Sequence, residues 1–227
     1  MSSASLLSEN LPPLAERIQP QSLADFIGQS SIIHENGLLA NAAASNQPFS
    51  LIFWGPPGTG KTTLARILSR KFKADYFELS AISSGVKQVR EILQKGKAAF
   101  ECGRRSILFI DEIHRFTKSQ QDALLHAVEE GSITLMGATT ENPSFEVISP
   151  LLSRCRVLRL YPLAEKELEN VLKRAMENDI LLTQRNLKLD KKAETLLLES
   201  CGGDARKMLN TLELAVSLHT EENPKLT

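Results

Sequence analysis

The stretch Gly55-Pro56-Pro57-Gly58-Thr59-Gly60-Lys61-Thr62 satisfies the pattern G-x-x-x-x-G-K-[ST] at every fixed position, and no other part of the chain narrows the possible folds as far. A loop of this kind needs a buried strand before it and a helix behind it. The apolar run Ser50-Leu51-Ile52-Phe53-Trp54 supplies the first, and Thr63-Leu64-Ala65-Arg66-Ile67-Leu68 opens a helical pattern that supplies the second. The spacing predicts a nucleoside-triphosphate site. Glycines free successive N–H groups to wrap phosphates, Lys61 neutralises the β and γ groups, Thr62 offers its hydroxyl to Mg²⁺, and the helix N-terminus faces the anion. The expected nucleotide-binding residues are Gly55, Pro56, Pro57, Gly58, Thr59, Gly60, Lys61, Thr62 and Thr63.

About fifty residues on, Ile107-Leu108-Phe109-Ile110-Asp111-Glu112 reads as a buried parallel strand that delivers two adjacent carboxylates at its C-terminal end, where open α/β sheets bind ligands. Asp111 is expected to hold the Mg²⁺ water shell opposite Thr62, and Glu112 to polarise the water that attacks the γ-phosphate. A further strand from Ile133 to Ala138 ends in Thr139-Thr140, polar residues able to touch the γ-phosphate or orient that water. With strands at Tyr76–Leu79 and Val157–Leu160 and helices between, the alternation predicts an α/β fold: a five-stranded, mainly parallel sheet covered on both faces.

Residues 1–13 are Ser-rich and end in Pro12-Pro13, a composition that predicts a mobile tail. The nucleotide-binding α/β domain is expected over 14–162. Early in it, Phe26-Ile27-Gly28-Gln29 leads to a helix around Ser31 to Ala44, and Ile27 and Gly28 either line a base pocket or belong to the core. Beyond Pro162 the strand signals stop. Helical patterns at Glu165–Asn178, Lys191–Ser200 and Asp204–Leu218 predict a small all-helical domain over 163–219, with Gly at a C-cap and Asp204 at an N-cap. Arg206 in the first turn opposes the helix dipole, which points to an anionic partner elsewhere. Residues 220–227 are polar and close no element, so the chain is expected to be cut from a longer protein.

Twenty-seven basic residues balance 27 acidic ones, so any nucleic-acid contact must come from a local patch. The amphipathic helix Gly85–Phe100, with Val86, Val89 and Leu93 on its apolar stripe, offers one: Lys87, Arg90 and Lys97 fall near one line with Gln94. Such a row is a solvated face or a phosphate-contacting one. Cys102, Cys155 and Cys201 form no C-x-x-C pair, which argues against a disulfide framework or a zinc site. With no run of 18 apolar residues and no signal-peptide pattern, a soluble, cytoplasmic protein without a membrane partner is expected. His114 and Trp54 read as a solvated loop histidine and a core tryptophan.

The order of phosphate loop, Asp-Glu strand, polar-ended strand, Ser153-Arg154-Cys155 and Gly202-Gly203-Asp204-Ala205-Arg206 resembles that of the AAA+ ATPases, and the likeness runs from Leu14 to Leu218. Within that superfamily, Gly137-Ala138-Thr139-Thr140-Glu141-Asn142-Pro143-Ser144-Phe145-Glu146 resembles the replication-associated recombination protein A family, relatives of clamp loaders and of the Holliday-junction motor RuvB. Leu14-Ala15-Glu16-Arg17 and Asp111-Glu112-Ile113-His114-Arg115-Phe116 resemble the same family. The resemblance implies an AAA+ core followed by a helical lid, using ATP and Mg²⁺. It also implies a DNA-dependent ATPase acting at stalled or damaged replication forks, on fork, single-stranded or end structures, with single-strand-binding protein and replisome components as partners. A cytoplasmic, nucleoid-associated place follows in a bacterium.

By motif, Thr140 takes the sensor 1 position, Arg154 that of an arginine finger facing a neighbour's ATP, Arg206 that of sensor 2, and Ser80 that of a polar partner for Glu112. The implied catalytic set is Glu112, Lys61, Thr140, Arg154 and Arg206. Clamp loaders place DNA contacts on the helix matching Gly85–Phe100, which adds weight to Lys87, Arg90 and Lys97 as phosphate contacts. Family members continue into a helical domain that assembles tetramers, expected beyond residue 227. The alternatives are a clamp-loader subunit, a RuvB-type branch-migration motor, or a nucleotide-binding scaffold without catalysis. The four-cysteine module of bacterial clamp-loader motors is absent, and Lys61, Thr62, Asp111 and Glu112, which scaffolds tend to lose, are all present.

Overall fold

The computed structural model describes residues 11–34, 37–185 and 188–218 and the backbone of 225–226. The expected tail of residues 1–13 and the closing segment lie largely outside these residues.

Five short apolar runs become strands: β1 Leu51–Trp54, β2 Asp75–Ser80, β3 Ser106–Asp111, β4 Thr134–Thr139 and β5 Arg156–Arg159. All their pairings are parallel, and the order across the sheet is β2-β3-β4-β1-β5. Because successive side chains in a strand point to opposite faces, each central strand feeds two cores. Leu51, Phe53, Ile107, Phe109, Met136 and Ala138 pack on one face against Leu64, Ala65 and Leu68 of the helix Lys61–Lys71. Ile52, Leu108, Ile110 and Leu135 pack on the other against Val89 and Ile92 of Val86–Glu101 and Leu124 of Lys118–Glu129.

Two sequence expectations shift. The apolar stripe of Val86–Glu101 is Val89, Ile92, Gly96 and Ala99, while Val86 is exposed and Leu93 half-buried. Gly96 sets that rotation: a Cβ there would lie 2.2 Å from Ile133 Cδ1, so the helix seats its glycine on the sheet-side isoleucine. The helix expected around Ser31–Ala44 is two helices, Ser30–Ile33 and Leu38–Ser45. Gly37 caps the second and approaches the carbonyls of Ile32 and His34 too closely for a side chain.

After Pro162 the chain is mostly helical: Glu165–Asn178, Ile180–Arg185, Lys191–Cys201 and Ala205–Leu218 enclose Leu168, Leu172, Leu182, Leu198, Met208 and Leu212. The expected all-helical unit also carries one two-residue parallel pairing, Lys188–Leu189 with Lys225–Leu226. The helix Ile180–Arg185, absent from the sequence reading, starts where Asp179 Oδ1 accepts the backbone N–H groups of Leu181 and Leu182, both at 3.1 Å. Leu14 and Ile18 join the helical core rather than the sheet. Arg17 fastens them there: its Nε donates to Asp179 Oδ2 at 2.6 Å and its Nη1 to Glu213 Oε1 at 2.8 Å, and these carboxylates raise the arginine's pKa against the opposing effect of burial. Asp179 is almost wholly buried, so Arg17→Ala is expected to lower unfolding free energy by about 3 kcal/mol or more in urea titration. Arg66→Ala breaks a pair with Glu78 that is about one-third exposed and is expected to cost under ~1 kcal/mol.

Candidate active site

The phosphate loop leaves β1 at Gly55 and ends in the first turn of Lys61–Lys71. Gly58 (φ 70°) and Gly60 (φ 93°) adopt left-handed conformations that a side chain would strain. Space forbids one as well, since added Cβ atoms would lie 1.8 Å from Asp204 Oδ1 and 2.4 Å from Phe26 Cζ respectively. Lys61 is buried, and its Nζ donates to the carbonyls of Gly55 at 2.6 Å and Pro56 at 2.8 Å. Thr59 closes the loop through Oγ1 to Pro56 O at 2.9 Å. Burial pushes the Lys61 ammonium's pKa down, opposed by the carboxylates of Glu112 and Asp111.

Across the cleft stand those two acids. Asp111 ends β3, and burial followed by the neighbouring Glu112 charge holds its carboxyl above the ordinary range. Thr62 lines the same cleft, so a hydroxyl and a carboxylate, both hard oxygen donors suited to Mg²⁺, face one space. Glu112 sits at φ 54°, ψ 47°, a left-handed conformation uncommon outside glycine. Its Oε2 accepts from Thr140 Oγ1 at 3.3 Å and lies 3.1 Å from His114 Nδ1. The expected partner Ser80 is level with Asp111 in the β2–β3 register, and among the described residues no hydrogen bond joins it to Glu112. His114 is not solvated as expected: its side chain is about nine-tenths buried, with Nδ1 3.0 Å from Thr139 Oγ1. Sequence offered one signal for it, the apolar Ile113 that pins the turn inward.

The walls come from three parts of the chain. Phe26 and Ile27 line the cleft together with Leu163, Val171 and Leu209, and Arg206 lines it from the first turn of Ala205–Leu218. Asp204 caps that turn by accepting from Lys207 N at 2.9 Å. Gly28 is not part of the wall; it turns at φ 85° beneath Leu163, where a Cβ would lie 2.4 Å from Leu163 Cδ2. Gln29 secures this segment by binding the backbone of Tyr161 twice, Nε2 to O at 2.7 Å and Oε1 from N–H at 3.0 Å. Trp54, expected in the core, is half-buried at the end of β1 with the Arg159 guanidinium 4.8 Å from its ring centroid.

Residues 51–163 match the AAA family, described as the ATPase family associated with various cellular activities. The chain is 46% identical over 221 residues to replication-associated recombination protein A of Escherichia coli K12, covering 96% of this chain and 49% of the relative. The chain belongs to this branch of the AAA family. The same protein of Haemophilus influenzae is 46% identical over 94% of the chain and 48% of its own length. The solved Thermotoga maritima RuvB Holliday junction branch migration motor superposes with a TM-score of 0.75 at 28% identity, over 92% of this chain and 69% of that one. The chain spans about half the length of the curated relatives it matches.

Not every residue implicated by the AAA resemblance reaches the cleft. Arg154 lies outside its lining, partly exposed, with Nη2 2.6 Å from Glu129 Oε1 and Nη1 donating to Pro150 O at 2.8 Å. Lys87, Arg90 and Lys97 stand on the exposed face of Val86–Glu101, Lys97 3.9 Å from Glu130. Asp111 gives a prediction with a definite sign. A raised carboxyl pKa lets protons compete with a cation at higher pH than an ordinary carboxylate would. Calorimetric affinity for Mg²⁺-nucleotide is expected to weaken as pH falls into the range just above the usual carboxylate values, and that step is expected to vanish in Asp111→Asn.

Proposed function

We propose that the chain is the ATP-hydrolysing portion of a DNA-acting replication and recombination protein. The observation that carries this reading is the convergence of Lys61 and Thr62 with Asp111 and Glu112 on one cleft, walled by Phe26, Ile27 and Arg206. Lys61 and the loop amides bind the β and γ phosphates of ATP; Thr62 and Asp111 hold Mg²⁺, which when bound neutralises charge on the phosphate oxygens. Glu112 orients the attacking water, Thr140 holds the Glu112 carboxylate, and Arg206 carries the state of the nucleotide to the helical part. Arg154, outside its own cleft, serves the site of a neighbouring copy as an arginine finger, and Ser80 stands in reserve as a partner for Glu112 when the carboxylate turns toward β2. The E. coli relative is named for replication-associated recombination. By extension this chain couples hydrolysis to remodelling DNA or the replication machinery at stalled forks, as a homo-oligomer in the cytoplasm, alongside single-strand-binding protein and replisome components. Among the described residues no helix is long and apolar enough to cross a membrane.

Two experiments test the reading. Lys61→Ala is expected to lose binding of a fluorescent ATP analogue, whereas Glu112→Gln keeps it and loses at least ~100-fold in turnover, because Lys61 acts on ground-state phosphate charge and Glu112 on the water. Equal analogue affinity in Lys61→Ala and the parent contradicts the site. Replacing Lys87, Arg90 and Lys97 together by Ala is expected to weaken DNA binding on unrelated sequences and to flatten its salt dependence. Unchanged affinity in the folded triple variant returns the row to a solvated face.

A further inference from the structure

The turn after β3 is held more tightly than a surface loop. Ile113 is fully buried beneath β4, where Gly137 leaves the room: a Cβ at Gly137 would lie 3.1 Å from Ile113 Cδ1. With Ile113 pinned, Glu112 takes its left-handed backbone and His114 folds back over the end of β4. His114 Nδ1 then stands between two oxygens, 3.0 Å from Thr139 Oγ1 and 3.1 Å from Glu112 Oε2.

The partners decide which ring nitrogen carries the proton. Thr139 is fully buried; its Oγ1 accepts from Glu141 N at 3.0 Å and is placed to donate to Glu141 O at 3.2 Å. That uses the only proton the threonine has. If Thr139 gave this proton to His114 instead, the Nδ1 lone pair would face a carboxylate oxygen at 3.1 Å, which is repulsive. A proton on Nδ1 removes the conflict: it satisfies Thr139 Oγ1 and presents its positive end to Glu112.

From this geometry we infer that His114 is a positioning residue for Glu112. Its Nδ1–H, oriented by Thr139, fixes the carboxylate beside Thr140 and limits the rotamers from which Glu112 reaches the water. The inference rests on the reading of Glu112 as the water-orienting carboxylate. It also accounts for the missing bond to Ser80: the polar neighbours of Glu112 Oε2 are Thr140, just after β4, and His114, in the turn after β3, rather than a residue of β2.

The test uses the whole chain at one fixed concentration. An Asn amide nitrogen falls near the place of His Nδ1, whereas a Gln amide nitrogen falls near Nε2. His114→Ala and His114→Gln are expected to lower kcat roughly 10- to 100-fold with fluorescent-ATP-analogue affinity unchanged within about twofold, and His114→Asn to recover most of that loss. Equal loss in the Asn and Ala variants, full kcat in His114→Ala, or a loss confined to nucleotide affinity overturns the inference. Long-range ¹⁵N–¹H spectra of the unsubstituted chain give a readout independent of folding in the variants: a protonated Nδ1 is expected, and a bare Nδ1 overturns it. Glu112→Gln run in parallel separates the two levels, since full turnover there contradicts the reading of Glu112 itself.

Discussion

A parallel strand buried on both faces presents polar groups only where it ends. From Ile107 to Ile110 every side chain of β3 is fully buried, so Asp111 and Glu112 are the first residues of that run free to meet a ligand. β1 obeys the same constraint and releases the phosphate loop at the same edge. β4 lies between them in the sheet, which puts Thr139 and Thr140 between the loop and the acids. The chemistry of the cleft is therefore a consequence of strand burial and strand order, with the loops adding conformation rather than location.

Burial also sets the electrostatics. It presses Lys61 toward its neutral form and Asp111 toward its protonated one, while their mutual attraction opposes both shifts. A ligand combining phosphate charge with a divalent cation supplies each with a partner. The two left-handed glycines of the loop serve the same end, because they let Asp204 and Phe26 approach the backbone that would wrap the phosphates.

The helical part is joined to this site through the start of the chain. Arg17 ties Leu14 and Ile18 into the helical core, and Gln29 ties the next segment to the backbone leaving β5. The cleft wall from Phe26 and Ile27 hangs between these two anchors. A ligand in the cleft would therefore touch, through Arg206 and this wall, helices that share no strand with the sheet.

Sequence alone determined the strand and helix alternation, the parallel sheet and the phosphate loop with its acidic counterpart, because each rests on local patterns: apolar runs, 3.6-residue periodicity and glycine spacing. It also marked the Asp204 cap, a contact within one turn. Tertiary structure decided what depends on packing between distant segments. The rotation of Val86–Glu101 follows from Gly96 meeting Ile133, thirty-seven residues away in sequence. The short helix after Asp179 follows a cap whose carboxylate is also claimed by Arg17 from the far end of the chain. His114 shows the difference most clearly. Its immediate sequence is that of a loop, and only the burial of Ile113 against Gly137, which brings the ring onto Thr139 and Glu112, takes it out of water.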